Sequence, residues 1–410
     1  MVLCLTYSEF QIMVINTRLV LVALFSLQLA ACGGGDGGGS SSNDTVDLNT
    51  SPALDANAGT SYTHSKPDLW ISYNSLSRPQ NSGNLSDAIA YLDADNDGDT
   101  DIFMATGEYL LAGEVDSVLY INNGANSFAS STSEFSDSMP PATHARKSIV
   151  GDFDGNGLDD IFVFDHGYDA HPFPGSNPKL IFQDAAGTFS WTKLTAQTGF
   201  YHGGASADID NDGDIDIFVG GFNPFFYIND GTGNLSYQTN RFDGSIDKVF
   251  SAELIDVDED GFVDLLVGAH ERDGDNTSIY WGSSTGSFNH SNRTIIPAVQ
   301  YFGGVMDFDA EDTDNDGDRD LLINRTRDGD DGPGKGFYQG RTIQLLAHDG
   351  NRGFTDITST HIDQPGGDND SWFPWLRVQD VDSDGDVDMA SDDAGDNVAY
   401  LNEGGVFTRQ

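Results

Sequence analysis

The amino-acid sequence predicts an all-β fold, a β-propeller of four-stranded antiparallel blades, with six blades or seven. Three observations predict it. A nine-residue acidic segment occurs six times along the chain. Each copy runs into a short apolar segment beside Gly-rich turns. Each is then followed by a further pair of apolar segments, most of them around an Asn/Gly turn.

The charge balance says what the acids must be doing. The chain has 66 acidic and 19 basic residues, a formal net charge of -47. Such an imbalance repels itself in a compact fold unless something neutralises it. It excludes nucleic acid as a partner, because that requires a basic surface. A disordered or salt-adapted acidic surface is one account and bound cations are the other. The position of the acids favours cations, since 28 aspartates fall in the six repeated segments. The only cysteines, Cys4 and Cys32, lie near the amino terminus, so no disulfide staples the body of the chain.

Residues 1–32 read as a secretory signal, with Met13 a better start than Met1. Arg18 precedes an apolar run from Leu19 to Leu29, too short to cross a membrane, and small residues follow before Cys32. The sequence Leu29-Ala30-Ala31-Cys32 resembles the lipobox of bacterial lipoproteins. That resemblance implies acylation of Cys32 and cleavage before it. Two or three acyl chains anchor stably where one is marginal. Gly rather than Asp at position 33 favours the outer membrane or cell surface of a Gram-negative bacterium, by the sorting habit of that family. Residues 33–60 open on a Gly/Ser run that behaves as a flexible tether. Residues 61–410 are left for the propeller.

The repeated segment reads D-x-D-x-[DN]-G-x-x-D, and its copies start roughly 50 to 70 residues apart. Calcium takes about 6–8 oxygen ligands at roughly 2.3–2.6 Å. Side chains at positions 1, 3 and 5 point inward from a curled backbone, Gly at position 6 allows the turn, position 7 offers its carbonyl, and position 9 adds a carboxylate directly or through water. The first loop offers Asp93, Asp95, Asp97, Asp99 and Asp101; the second offers Asp152, Asp154, Asn156, Leu158 and Asp160. The third offers Asp208, Asp210, Asp212, Asp214 and Asp216; the fourth offers Asp256, Asp258, Asp260, Phe262 and Asp264. The fifth offers Asp312, Asp314, Asp316, Asp318 and Asp320; the sixth offers Asp380, Asp382, Asp384, Asp386 and Asp388. One cation per loop gives about six calcium ions. The segment resembles the first nine positions of an EF-hand, but position 12 is Met104, Val163, Val219, Val267, Ile323 or Ser391 instead of Glu. The flanks, such as Ile161-Phe162-Val163, are strand-like rather than helical.

Together with pairs such as Leu119-Tyr120-Ile121-Asn122-Asn123-Gly124 leading to Phe128, each repeat reads as strand, acidic loop, strand, connection, strand, turn, strand. The chain resembles the VCBS/FG-GAP repeat family, whose integrin members are β-propellers with calcium in these loops. The sixth repeat ends near Phe407, at the carboxyl terminus. Residues 61–85 offer either a strand that closes the ring or a seventh blade without an acidic loop.

In such a blade the acidic loops and short turns share one face, and the irregular connections share the other. Loops held by a rigid scaffold are the usual seat of binding. The second face offers His144, Arg146, His166, His171, Tyr201, His202, Arg272, Arg327, Trp372 and Trp375 as candidate ligand contacts. Aromatic faces beside Arg, His and Asp suit a polysaccharide or a protein partner. No GxSxG, HExxH, P-loop or Cys–His pairing signals catalysis. The expectation is a non-enzymatic binding or adhesion module. The alternative is a carbohydrate-active lyase or hydrolase using the same face, with His144, His202 and Arg146 over the axis.

Overall fold

The computed structural model describes residue 76 and residues 85–410, apart from short breaks at 109–111, 125–126, 186, 245, 247, 330–335, 381, 383 and 394–395. The signal segment, the tether, Cys32 and nearly all of residues 61–84 lie outside the described residues.

Six four-stranded antiparallel sheets follow one another along the chain, each built from one contiguous stretch. Blade 1 consists of Leu85–Leu92, Asp101–Glu108, Val118–Asn122 and Phe128–Ser131. Blade 2 consists of Ala145–Gly151, Asp160–Asp165, Lys179–Ala185 and Thr188–Lys193. Blades 3 and 4 begin with Gly204–Ala207 and Ser251–Ile255, and blades 5 and 6 with Gly304–Glu311 and Leu376–Gln379. The last strand, Val406–Arg409, completes the sheet of blade 6, with one further bridge from Phe407 to Ile362 in the preceding connection, so no described blade is shared between the two ends of the chain.

The second strands are apolar at successive positions because both of their faces are buried, each against a neighbouring blade. Successive side chains on a strand point to opposite faces. Ile161 and Val163 accordingly pack with Phe103 and Leu119 of blade 1, whereas Phe162 and Phe164 pack with Ile217 and Phe225 of blade 3. The same interleaving joins blades 3 and 4, 4 and 5, and 5 and 6.

The first strands lie innermost, and their side chains close the axis. Lys147 of blade 2 reaches blade 4, where its Nζ donates to the Ala252 carbonyl at 2.8 Å and to Glu253 Oε1 at 2.5 Å. Its ammonium sits 5.3 Å from the ring centre of Trp375. Asp307 and Asp309 of blade 5 and Arg377 of blade 6 are buried in the same set of inner strands. Among the described residues no helix is long and apolar enough to cross a membrane.

Candidate functional site

Every acidic loop joins the first strand of a blade to the second, so all six project from one face. Their internal bonding is nearly identical. The position-1 aspartate accepts two amide protons, as Asp93 does from Asp97 and Gly98, each at 3.0 Å. The position-5 side chain accepts from the amide of position 7, as in Asp97 with Asp99 and Asn156 with Leu158. Gly at position 6 has φ between 83° and 102° in all six loops, where a side chain is strained. Position 4 is left-handed too, with Asn96 at 64°, Asn211 at 57°, Asn315 at 61° and Gly155 at 74°. Asn and Gly tolerate that conformation. This explains a preference that the metal reading of the sequence leaves unassigned.

Position 9 does a second job that the sequence did not reveal. Asp101, Asp160, Asp216, Asp264 and Asp320 open the second strands, where they are buried. Each ties the loop to the third strand or to the turn just after it. Asp101 accepts from the amides of Ala94 and Asn122, both at 2.7 Å, and Asp264 from Val257 at 3.0 Å and Gly282 at 2.7 Å. Burial pushes the Asp101 carboxyl up to about 6, Asp160 and Asp216 to about 7 and Asp264 to about 8, against the pull of those amides. Neighbouring loop carboxylates add to the rise.

The loops fit a cation. One oxygen from each of Asp93, Asp95 and Asp101 lies within 4.8 Å of the others, and the sets Asp152/Asp154/Asp160 and Asp208/Asp210/Asp216 repeat this. In the fourth and fifth loops the converging sets are Asp256/Asp258/Asp260 and Asp312/Asp314/Asp316. The position-3 atoms Asp95 Oδ1, Asp210 Oδ1 and Asp258 Oδ1 are buried without a hydrogen-bond partner, as atoms turned toward an ion would be. Arginines partly offset the charge in two loops: Arg241 donates to Asp210 at 2.8 Å, and Arg352 bridges Asp258 and Asp260.

The opposite face gathers most of the candidate ligand contacts. Asp165, at the end of a second strand, organises its blade 2 sector. It accepts from the amides of Thr143, His144 and Gly167 and from Ser176 Oγ, and it pairs with Lys179. Burial would raise its pKa, but the Lys179 ammonium holds it below the ordinary value. His144, His166 and His202 converge at the axial mouth. His144 and His166 meet edge to face at 5.0 Å, and His166 Nε2 lies 2.8 Å from His202 Nε2. Burial, and then the other imidazoles and Arg146, hold His166 and His202 well below the ordinary histidine range. His144 falls to about 3, through burial and then Arg146. Arg146 donates to the Tyr338 hydroxyl at 2.9 Å, and the Tyr338 ring packs at a tilt against Trp372, with ring centres 4.8 Å apart.

Other candidates sit differently from the sequence-based expectation. Trp375 is 4% exposed and packs against Lys147 at the axis, so it is not a rim side chain. Arg327 is also 4% exposed, ion-paired to Asp368 and covering the Tyr301 and Phe302 rings. Tyr201 is buried, and its hydroxyl donates to the Gln197 carbonyl at 2.9 Å. Its ring still helps line a cleft of about 200 Å³ with Phe173, Phe200 and Phe222. His171 is exposed and stands near Phe173 rather than His166. Arg272 is exposed and lies 4.9 Å from the Phe337 ring centre. Tyr338, Phe337, Phe222 and Tyr301 complete the face. Phe337 and Phe222 carried no motif that would mark them in the sequence.

A family model described as an FG-GAP-like repeat matches residues 93–163, 208–267 and 256–323, segments that contain the first five acidic loops. No curated protein matches the chain. Among solved structures, the chain is similar to the V. cholerae biofilm matrix protein Bap1, at 18% identity and TM-score 0.40, over 72% of this chain and 41% of that one. It is also similar to BBS1N, solved in complex with ARL6DN, at 10% identity and TM-score 0.38, over 83% of this chain and 93% of that one. The chain therefore spans less than half the length of the Bap1 chain it matches. With five acidic loops inside the matched segments and six contiguous four-stranded blades, this chain is an FG-GAP repeat β-propeller.

Proposed function

We propose that this propeller is an exported, lipid-anchored binding module that holds a polysaccharide on the face opposite its acidic loops. About six calcium ions in those loops stiffen the scaffold, and acylated Cys32 tethers it to the outer membrane or cell surface of a Gram-negative bacterium. The observation that carries this reading is the placement of exposed aromatic rings. Phe173, Phe222, Tyr301, Phe337 and Trp372 are all among the most exposed large hydrophobic side chains, and all belong to the irregular connections on that face. Exposed aromatics gathered on one side mark a contact surface rather than random exposure.

Backbone conformation supports it. Phe173, Tyr301 and Tyr338 have φ of 54°, 73° and 56°. A bulky residue in the left-handed region costs about 1 kcal/mol or more, and such strain clusters at ligand sites. The chemistry suits sugars: flat rings stack on pyranose faces, while Arg272, Asp169 and the Tyr338 hydroxyl supply polar partners beside them. Binding to a panel of neutral and acidic polysaccharides tests the reading. Retention that disappears in Trp372→Ala at unchanged melting temperature supports it. Retention unaffected by Trp372→Ala and Phe337→Ala together overturns it.

The carbohydrate-active alternative has one observation in its favour. Arg146, Tyr338 and the imidazole cluster meet at the axial mouth, which is the proximity that acid–base chemistry on one substrate requires. Chain cleavage of a bound polysaccharide, abolished in Tyr338→Phe without loss of binding, decides in its favour; intact polysaccharide after prolonged incubation decides against it.

A further inference from the structure

The acidic loops offer only oxygen, whereas the opposite face concentrates imidazole nitrogen. We propose that His166 and His202 form the core of a binding site for a transition-metal dication of the zinc class at the axial mouth. The proposal stands apart from polysaccharide binding and from calcium in the loops.

The geometry starts from one contact. The two Nε2 atoms lie 2.8 Å apart, with the ring planes at 88°. His166 Nδ1 lies 3.2 Å from the Gly167 carbonyl, which can only accept, so that nitrogen carries the His166 proton. The Nε2 lone pair of His166 is thereby aimed at His202. An imidazole whose remote N–H donates to a backbone carbonyl, with its other nitrogen directed inward, is the arrangement found around ligated metals.

His202 is not fixed in this way. Its Nδ1 is buried and meets no hydrogen-bond partner among the described residues, so no protein group dictates its tautomer. Moving its proton from Nε2 to Nδ1 leaves two lone pairs facing one point, with no net proton released. The Nε2 atoms need to separate by about half an ångström to take nitrogen–metal bonds of about 2.0–2.1 Å in a tetrahedral arrangement. Burial keeps both rings neutral, the form that ligates. His202 is partly exposed, so an ion has a route in, and solvent can fill further positions.

His144 is the nearest further imidazole on the blade 2 side. His144 packs edge-on against His166, and its backbone is locked by Asp165. Arg146 works against any cation here, although its guanidinium is engaged by the Tyr338 hydroxyl. The site is therefore one of moderate affinity. Nitrogen donors select zinc, nickel or copper over calcium, while the carboxylate loops prefer hard ions. The two ion classes are thus sorted to opposite ends of the axis.

Zinc titration of the mature protein in excess calcium, followed by calorimetry, tests this. The expected result is one equivalent of zinc bound in the presence of calcium, and cobalt in its place gives the visible bands of a nitrogen-ligated ion. His202→Gln is expected to weaken zinc by more than the roughly 10- to 100-fold that loss of an outer-shell partner costs. His166→Gln is expected to do the same. Should the buried His166 variant fail to fold, the partly exposed His202 variant decides alone, its melting temperature in calcium being the control. His290→Gln, a histidine in a third-to-fourth-strand turn on the other face and outside the acidic loops, is expected to leave zinc binding unchanged. Absence of zinc binding in excess calcium, or equal binding by wild type and His202→Gln, overturns the proposal.

Discussion

The two faces of this propeller are built from the same strands and obey different rules. On the loop face, six segments repeat one bonding scheme to within a few tenths of an ångström, down to the amides held by Asp93 and its counterparts. On the other face no two connections are alike. One carries His166 and Phe173, another Phe337 and Tyr338, and a third Trp372. Repetition marks what every blade needs for itself, an acidic loop able to hold a cation and a clip onto its third strand. Divergence marks what the molecule needs only once, a single surface of particular chemistry.

The largest expected effect falls on the repeated face. Three carboxylate oxygens within 4.8 Å repel one another, at about 3 kcal/mol per full charge pair for an effective dielectric near 20, and less once solvent screens them. Each cation that binds only the folded state adds about 2.7 kcal/mol at a hundredfold excess over its dissociation constant. Removing calcium with a chelator is expected to lower the melting temperature by on the order of 10 °C or more, read by calorimetry. An unchanged melting curve would break the contrast between the faces, because the loops would then be no more than acidic turns.

Within a loop, two aspartates separate the cage from the clip. Asp160 holds the amides of Phe153 at 2.9 Å and Gln183 at 2.8 Å, whereas Asp154 at position 3 holds only the exposed Asn156 amide. Asp160→Ala orphans two buried donors and is expected to cost about 2–4 kcal/mol with or without calcium. Asp154→Ala is expected to cost stability in calcium only. Urea unfolding of both variants in calcium and in chelator reads the difference. Equal behaviour of the two would show that position 9 has no structural role separate from the ion.

On the divergent face the effects are expected in binding rather than stability. Trp372 is 36% exposed and touches Tyr338 across a blade boundary. Trp372→Ala is expected to weaken polysaccharide binding about tenfold, the cost of one interface anchor of about 1.4 kcal/mol, with melting shifted by no more than a degree or two. Isothermal titration and calorimetry on the same preparation give both numbers.

The repeated face was legible in the sequence because its chemistry is local. Loop spacing, the glycine at position 6 and the strand flanks follow from nine consecutive residues, and the blade follows from what those residues abut. The divergent face was legible only as a location. His144, His202 and Arg146 were read together over the axis only for the carbohydrate-active alternative, with His166 a candidate of its own, and it is the ring itself that brings residues 144, 166 and 202 to one place. Trp375 looked like Trp372 in sequence, yet one is sealed against Lys147 and the other is open. Phe222 and Phe337 gave no signal, because a lone aromatic in a connection reads the same whether it is core or surface. The acids that mattered least to a charge count, Glu253 and Asp307, were missed for the same reason.

Those two acids lie on the axis between the faces and give the smallest expected effect. Burial raises Glu253 well above its ordinary value and Asp307 to about 7, and the Lys147 ammonium pulls both back. Asp307 Oδ2 also accepts from the Leu376 amide at 2.8 Å. A carboxyl whose folded pKa is raised holds its proton longer in the native state than in the unfolded chain. Its contribution to stability is present in full below about pH 4 and is lost as pH rises through about 7. Under the proposed calcium binding, loop carboxylates would have to ionise and would impose the opposite slope, so the axial term is visible only as a difference. Asp307→Asn keeps the acceptor for Leu376 and removes the titration. Compared with wild type in saturating calcium, it is expected to gain relative stability between pH 5 and pH 7.5, by on the order of 1 kcal/mol. A constant offset across that range would mean that the axial carboxylates stay ionised, leaving Lys147 to balance more than one negative charge.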